Sequence, residues 1–215
     1  MIDYYPPLEP GRFYHIYNRG NNRENIFITS ENYFYFLRKY SKYLPRVVDT
    51  FVYNLLPNHF HLVIRVKPKD EIVPAPTGVP GMIDFPSLQD LESLAVGDIV
   101  SELFRRFFMA YAKAINKQEG RVGSLFQKNF KRRPVQSDGH FNNLIYYVHT
   151  NARLHGICND FRDWPYSSYQ TMLSNKSTLL QRAEVLDWFD SKAAFEEHHL
   201  RYLDLKNIET LMIED

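Results

Sequence analysis

The sequence predicts an α+β fold: one antiparallel sheet of about four strands with helices packed on it, followed by further helices. Three observations lead there. Short runs rich in aromatic and β-branched residues alternate with longer amphipathic segments. Their order, β-α-β-β-α-β-α, resembles the ferredoxin-like motif. The 215 residues are 44% hydrophobic and 15% aromatic, enough to fill a core and too apolar for global disorder.

Residues 13–17, Phe-Tyr-His-Ile-Tyr, read as the first strand, and residues 18–23 as a polar loop. Ser30-Glu31-Asn32 opens a helix running to about Tyr43, with Tyr33, Phe36, Leu37 and Tyr40 on its apolar side. Residues 47–55 and 59–66 are strands joined by the turn Leu56-Pro57-Asn58, which predicts an antiparallel hairpin. Residues 67–97 hold Pro68, Pro74, Pro76, Pro80 and Pro86 and read as a surface excursion, with a short helix near 87–94. Residues 99–118 form a long amphipathic helix carrying Leu103, Phe107, Ala110, Tyr111 and Ala114 on its apolar side. Residues 119–123 end it. A strand is expected within 125–135, and a helix over 141–155 that starts near Asp138 or Gly139. Later helices are expected over 167–173, 183–189 and 192–203. Residues 1–175 read as the main domain and 176–215 as an acidic helical extension.

The single cysteine, Cys158, rules out an internal disulfide, a cysteine-based zinc finger and an iron–sulfur cluster, and reads as an inert buried thiol. The N-terminal residues do not look like a signal peptide, and no apolar run approaches membrane-spanning length. The expected setting is a reducing cytoplasm, with no membrane partner. Net charge is only +1, but the charges are segregated. Residues 101–135 carry nine basic side chains against Glu102 and Glu119, a net +7, whereas residues 184–215 carry a net −6. A basic middle and an acidic end suggest a polyanion-binding surface and a region that avoids it.

Chemistry concentrates in two places. In Pro57-Asn58-His59-Phe60-His61-Leu62-Val63-Ile64 the side chains alternate, so His59 and His61 share one face of a strand, about 7 Å apart at Cα. Two imidazoles at that spacing can converge on one metal ion, while Phe60, Leu62 and Ile64 point into the core. In Leu144-Ile145-Tyr146-Tyr147-Val148-His149-Thr150-Asn151, Tyr147 and Asn151 lie four apart on one helical face. A phenol beside an amide ligand suits metal-assisted phosphoryl transfer, because a tyrosine with a pKa of about 10 attacks poorly without help. Tyr146 is rotated by about 100° from Tyr147 and faces elsewhere.

These stretches match a known family in order and spacing. They are joined by Tyr14-His15-Ile16-Tyr17-Asn18-Arg19-Gly20-Asn21-Asn22, by Gly123-Ser124-Leu125-Phe126-Gln127-Lys128-Asn129-Phe130-Lys131 and by Asp160-Phe161-Arg162-Asp163-Trp164-Pro165-Tyr166-Ser167-Ser168-Tyr169. Across residues 14–169 the chain resembles the REP-associated tyrosine transposases, relatives of the single-tyrosine HUH transposases of small insertion sequences. The resemblance implies a ferredoxin-like or RRM-like palm. It implies that His59 and His61 hold Mg²⁺ or Mn²⁺, with Asn151 as third ligand and Tyr147 as nucleophile. The implied reaction cleaves single-stranded DNA beside a REP-like hairpin, leaves a 5′-phosphotyrosine and a free 3′-OH, and rejoins the strand by 3′-OH attack. The expected location is the nucleoid, and the expected state a monomer or homodimer. The chain departs from the family at Asn151-Ala152, where Asn-Pro is usual, and at Arg153-Leu154-His155-Gly156, where Val-Arg-Ala-Gly is frequent. Both departures bear on the shape of the helix end.

Arg121, Lys128, Lys131, Arg132 and Arg133 would then line a groove and pair with phosphates. Asn18, Arg19, Asn21 and Arg23 would read unpaired bases or the hairpin foot. His15, on a neighbouring strand, is a candidate neighbour of the site. Other functional classes remain: a domesticated DNA-binding relative without catalysis, which would need none of His59, His61, Tyr147 and Asn151; a hydrolase using water, which would want carboxylates absent from residues 59–66; and an HUH replication or nicking endonuclease.

Overall fold

The structure, a computed structural model, describes residues 5–75, 85–135 and 138–201. Four strands, β1 (Phe13–Arg19), β2 (Val48–Leu56), β3 (His59–Val66) and β4 (Lys131–Pro134), form one antiparallel sheet in the order β2-β3-β1-β4. This is the order a βαββαβ ferredoxin-like unit produces, and it confirms the predicted fold class. β1 runs two residues past its expected end. Asn18 and Arg19 continue the ladder opposite Phe60 and His59 instead of entering a loop. The fourth strand is shorter than residues 125–135. Before it, residue 126 makes only an isolated bridge to Gly20, and Asn129 takes a left-handed φ of 62° that breaks the extended run. At Gly20 a Cβ would meet the Glu24 carbonyl oxygen at 2.0 Å, so only glycine permits this crossing.

Helices α1 (Ser30–Tyr43) and α3 (Val96–Gln118) cover one sheet face. Asn32 caps α1 by accepting from the Ile28 and Thr29 amides. Residues 99, 100, 103, 104, 107, 108, 111 and 115 of α3 are buried, a helical stripe that packs on Phe60, Leu62, Ile64 and Val66 of β3. The short helix expected near 87–94 is α2 (Leu88–Ser93), with Ser87 and Asp90 forming its capping box. Pro76, Gly78, Pro80 and Gly81 of the Pro-rich excursion lie outside the described residues.

Helix α4 (Asp138–Leu154) crosses the opposite face. Phe141, Leu144, Ile145 and Val148 share a second core with Phe51, Val52 and Val63 of the sheet. Three short helices, α5 (Tyr169–Leu173), α6 (Arg182–Asp187) and α7 (Lys192–Leu200), close over α4 from outside, contributing Val185 and Phe195 to that core. Residues 202–203 of the expected last helix lie outside the described residues. The sheet is thus buried on both faces, which is why its strands read as nearly unbroken apolar runs.

Candidate active site

The second face changes character along its length. At one end Phe13, Phe51 and Phe141 pack with Trp188. At the other, where β1 ends and β3 begins, the same face carries His15, Tyr17, His59 and His61. α4 runs from the aromatic end to the histidine end and lays Tyr147 and then Asn151 over the imidazoles. The Tyr147 ring centroid is 5.5 Å from that of His61 and 6.2 Å from that of His15. Asn151 Oδ1 lies 3.2 Å from His59 Nε2. The rings of His59 and His61 are 5.1 Å apart and perpendicular. Tyr146 points the other way, with its ring 5.9 Å from His199 of α7.

All four side chains are buried: His59 is 4% exposed, His61 1%, Tyr147 2% and Asn151 0%. Hydrogen bonds set the imidazoles. His59 Nδ1 lies 2.6 Å from Asn58 Oδ1; an amide oxygen only accepts, so in the neutral ring Nδ1 carries the proton and Nε2 a lone pair. That lone pair faces the Asn151 oxygen, a second acceptor, while Asn151 Nδ2 is buried without a hydrogen-bond partner among the described residues. Two acceptors aimed at one point are satisfied by a cation between them. Their 3.2 Å separation compares with an edge of about 3.0 Å in an octahedron with metal–ligand bonds of about 2.1 Å. His61 Nδ1 meets His15 Nε2 at 2.8 Å, which leaves Nε2 as the ring nitrogen of His61 not taken up by His15. The donor set therefore fits a divalent cation. Among the described residues no three His, Cys, Asp or Glu side chains form a metal cluster, so a third ligand beside His59 and His61 would be the neutral Asn151 amide. Two neutral imidazoles and an amide would leave the cation close to its full charge.

Two further groups hold α4 in place. Asn54 of β2, beside His61 in the ladder, donates from Nδ2 to the Val148 carbonyl at 2.7 Å. On the outer side His199 Nδ1 donates to the Phe195 carbonyl at 2.8 Å, so its Nε2 accepts from His149 Nδ1 at 2.9 Å. His149 Nε2 lies 2.8 Å from Ser168 Oγ, which in turn is 3.1 Å from the Tyr53 carbonyl of β2. Burial pushes the pKa of His149 well below the ordinary histidine value, and that of His199 down to about 3, so both rings are neutral. Asn54 and His199 carry no motif signal, and Asn58, His149 and His155 lie within or beside the matched stretches with no role assigned there; the strand register and the packing of α4 show what each touches.

The basic residues separate by strand alternation. Lys131 and Arg133 of β4 lie opposite Tyr17 and His15 and share the histidine face, as does Arg19, opposite His59. Tyr17, Arg19, His59 and Lys131 line a small cavity of about 20 Å³, room for one water. Arg132 projects to the other face, where it reaches Ser101 Oγ of α3 at 3.2 Å and the Tyr5 carbonyl at 3.3 Å. Asn18 faces that side too, with Nδ2 donating to the Gln127 carbonyl. Arg132 and Lys128 belong to an open groove of about 870 Å³ between α3 and residues 123–130. Asn21 and Arg23 are exposed in a tight turn, where Asn22 and Arg23 both hold left-handed φ values, 55° and 61°. Arg121 is ion-paired with Glu24 of the same region.

The fold and this face together define a class: a ferredoxin-like sheet with a His-x-His strand and a tyrosine-bearing helix laid across it. Within that class, the chain is similar to a solved structure of a REP-associated tyrosine transposase bound to a REP hairpin, with a TM-score of 0.56 and 16% identity. The match covers 81% of this chain and 87% of that one, so the shared fold extends over nearly all of both. No protein-family model and no curated protein matches the chain. Among the described residues no helix is long and apolar enough to cross a membrane.

Proposed function

We propose that this chain is a transposase-like DNA endonuclease and strand transferase of the REP-associated type, acting on single-stranded DNA beside a hairpin. One observation carries the reading: α4 brings Tyr147 and Asn151 against His59 and His61 in a single buried cluster. Burying polar groups is costly unless they are hydrogen-bonded or serve a ligand, Asn151 Nδ2 is buried without a partner among the described residues, and DNA binding alone requires none of the four.

His59, His61 and Asn151 would hold Mg²⁺ or Mn²⁺, which when bound polarises a phosphodiester oxygen and favours the ionised phenol. Tyr147 Oη attacks phosphorus, the P–O3′ bond breaks, and the downstream fragment stays on the tyrosine through its 5′-phosphate while the upstream fragment leaves with a 3′-OH. The phosphotyrosine conserves the bond, so attack by a 3′-OH reverses the step without ATP. Lys131, Arg133 and Arg19 flank the cluster and would seat the phosphates, with Asn21 and Arg23 at its margin toward the hairpin.

The test is incubation with hairpin-flanked single-stranded DNA and Mn²⁺, followed by peptide mapping of any covalent adduct. Wild type is expected to form an adduct on Tyr147. Tyr147→Phe should abolish it at unchanged DNA affinity, and Tyr146→Phe should retain it. Hairpin binding without any adduct would identify a binding protein instead.

A further inference from the structure

We propose that the open groove between α3 and residues 123–130 holds the unpaired nucleotides next to the scissile phosphate, so that the chain reads flanking bases directly. The proposal rests on the reading of the histidine face as a DNA-cleaving site and assigns the stretch of substrate beyond that face.

The placement comes from two cavities that share a wall. The small cavity beside His59 is lined by Tyr17, Arg19 and Lys131, and also by Asn18 and Gln127. The groove of about 870 Å³ is lined by the same Asn18 and Gln127. Hydrogen bonds fix that wall. The Gln127 amide donates to the Arg19 carbonyl at 2.9 Å, and Asn18 Nδ2 donates to the Gln127 carbonyl at 3.3 Å. A strand with one phosphate at the histidine face therefore passes the end of β1 and enters the groove without leaving the protein surface. Cations follow the same path: Lys131 lines the small cavity, and the exposed Lys128 and Lys113 line the groove.

The lining suits unpaired bases. The volume lies within the ordinary range of ligand pockets, about 300–1,000 Å³. The floor is apolar: the Phe108 ring lies 5.2 Å from Phe126 and 5.7 Å from Phe130 between centroids, and Met109 beside it is 57% exposed. An unpaired strand can turn its base faces toward such a floor and keep its phosphates at the cationic rim. A duplex has its base faces already stacked and presents phosphates, to which an apolar floor offers nothing. Gln127 and Asn129 add side-chain amides, each a donor and an acceptor, which match base edges. The rim carries a net +2, from Arg105, Lys113, Lys128 and Arg132 against Asp98 and Glu102. The Glu102 carboxylate is already taken up by Arg105 at 2.6 Å and Arg106 at 2.8 Å. An acidic peptide would match this charge, but the wall shared with the cavity beside His59 favours DNA.

The experiment measures fluorescence anisotropy in EDTA, so that no cleavage intervenes. It compares a hairpin alone with the same hairpin carrying an unpaired flank of about ten nucleotides. The variants are Lys113→Ala/Lys128→Ala, Met109→Glu and Met109→Lys, all at exposed positions. The double variant is expected to weaken binding to the flanked hairpin by about tenfold at about 0.1 M salt and to reduce the salt slope by about 1.4. Affinity for the hairpin alone should stay within about twofold. Met109→Glu should weaken and Met109→Lys strengthen binding to the flanked hairpin only. At saturating wild-type protein, 2-aminopurine placed in the flank should lose fluorescence as it stacks. Equal losses on both DNAs would put the duplex stem in the groove, and unchanged binding in every variant would leave the groove to a protein partner. Unquenched 2-aminopurine would mean that only phosphates are held. Each of these overturns the proposal. A wild-type chain that binds neither DNA overturns the function beneath it, whereas adduct formation on Tyr147 with groove variants that bind like wild type removes the groove alone.

Discussion

At the scale of single residues, the two histidines are held by neighbours that touch no substrate. Asn58 Oδ1 lies against Nδ1 of His59, and His15 lies against Nδ1 of His61, so in both rings Nε2 is the nitrogen these two neighbours leave to other partners. Partners of this kind typically contribute 10–100-fold to metal affinity. Asn58→Ala and His15→Ala are each expected to weaken Mn²⁺ binding by about that factor, read by electron paramagnetic resonance titration, with circular dichroism unchanged. Wild-type affinity in both variants would show that the rings hold their orientation by packing alone. The sequence carries the inner half of this arrangement. A period of two puts His59 and His61 on one face, and helical phase sends Tyr147 and Tyr146 to different sides. It does not carry the outer half. His15 meets His61 only because β1 and β3 pair in one register, and the direction of the Asn58 side chain depends on how residues 56–58 turn.

At the scale of elements, β4 decides which cations can serve the site. Lys131 and Arg133 face the histidines, while Arg132 faces α3. The double variant Lys131→Ala/Arg133→Ala is expected to weaken binding to hairpin-flanked DNA and reduce the slope of log affinity against log salt by about 1–2. Arg132→Ala should leave the affinity for short DNA near wild type and instead lower the melting temperature, because its guanidinium ties β4 to α3. Equal salt slopes in wild type and the double variant would remove β4 from the interface. In the sequence, Lys131-Arg132-Arg133 is a basic run that reads as one groove. The division within it follows from side-chain alternation once the strand is placed, and placing a four-residue edge strand requires its partner β1. The helices were more legible, since α3 and α4 carry long apolar stripes. That α4 lies on the opposite face from α1 and α3 was not, because the sheet is apolar on both sides.

At the scale of the whole molecule, the bond from His149 to His199 fastens α7 to α4, the helix that bears Tyr147. Both rings are buried and neutral, and this makes stability depend on pH. In the unfolded chain each takes up a proton below about 6.5, whereas in the folded chain His199 resists protonation down to about 3. Desolvation is the main cause in both, so the contribution is complete above about 6.5 and is lost as pH falls from there toward 3. Each ring can steepen the decline by up to about 1.4 kcal/mol per pH unit. The urea midpoint is expected to drop between pH 7 and pH 5, before any carboxylate with a lowered pKa is affected, and His199→Gln should flatten that drop. A midpoint constant over this window would mean that the His149–His199 pair accepts protons while folded.

The same fastening imposes a schedule on biosynthesis. His59 and His61 leave the ribosome early, α4 much later, and α7, which closes over the outer face of α4, is the last of the described elements to emerge. Before α7 arrives, Tyr146 and His149 lack the His199 ring, so the outer side of α4 is incompletely covered. A nascent chain therefore holds His59, His61, Tyr147 and Asn151 before the outer side of α4 is closed. Full closure over α4 therefore waits for translation of α7, the last of the described elements.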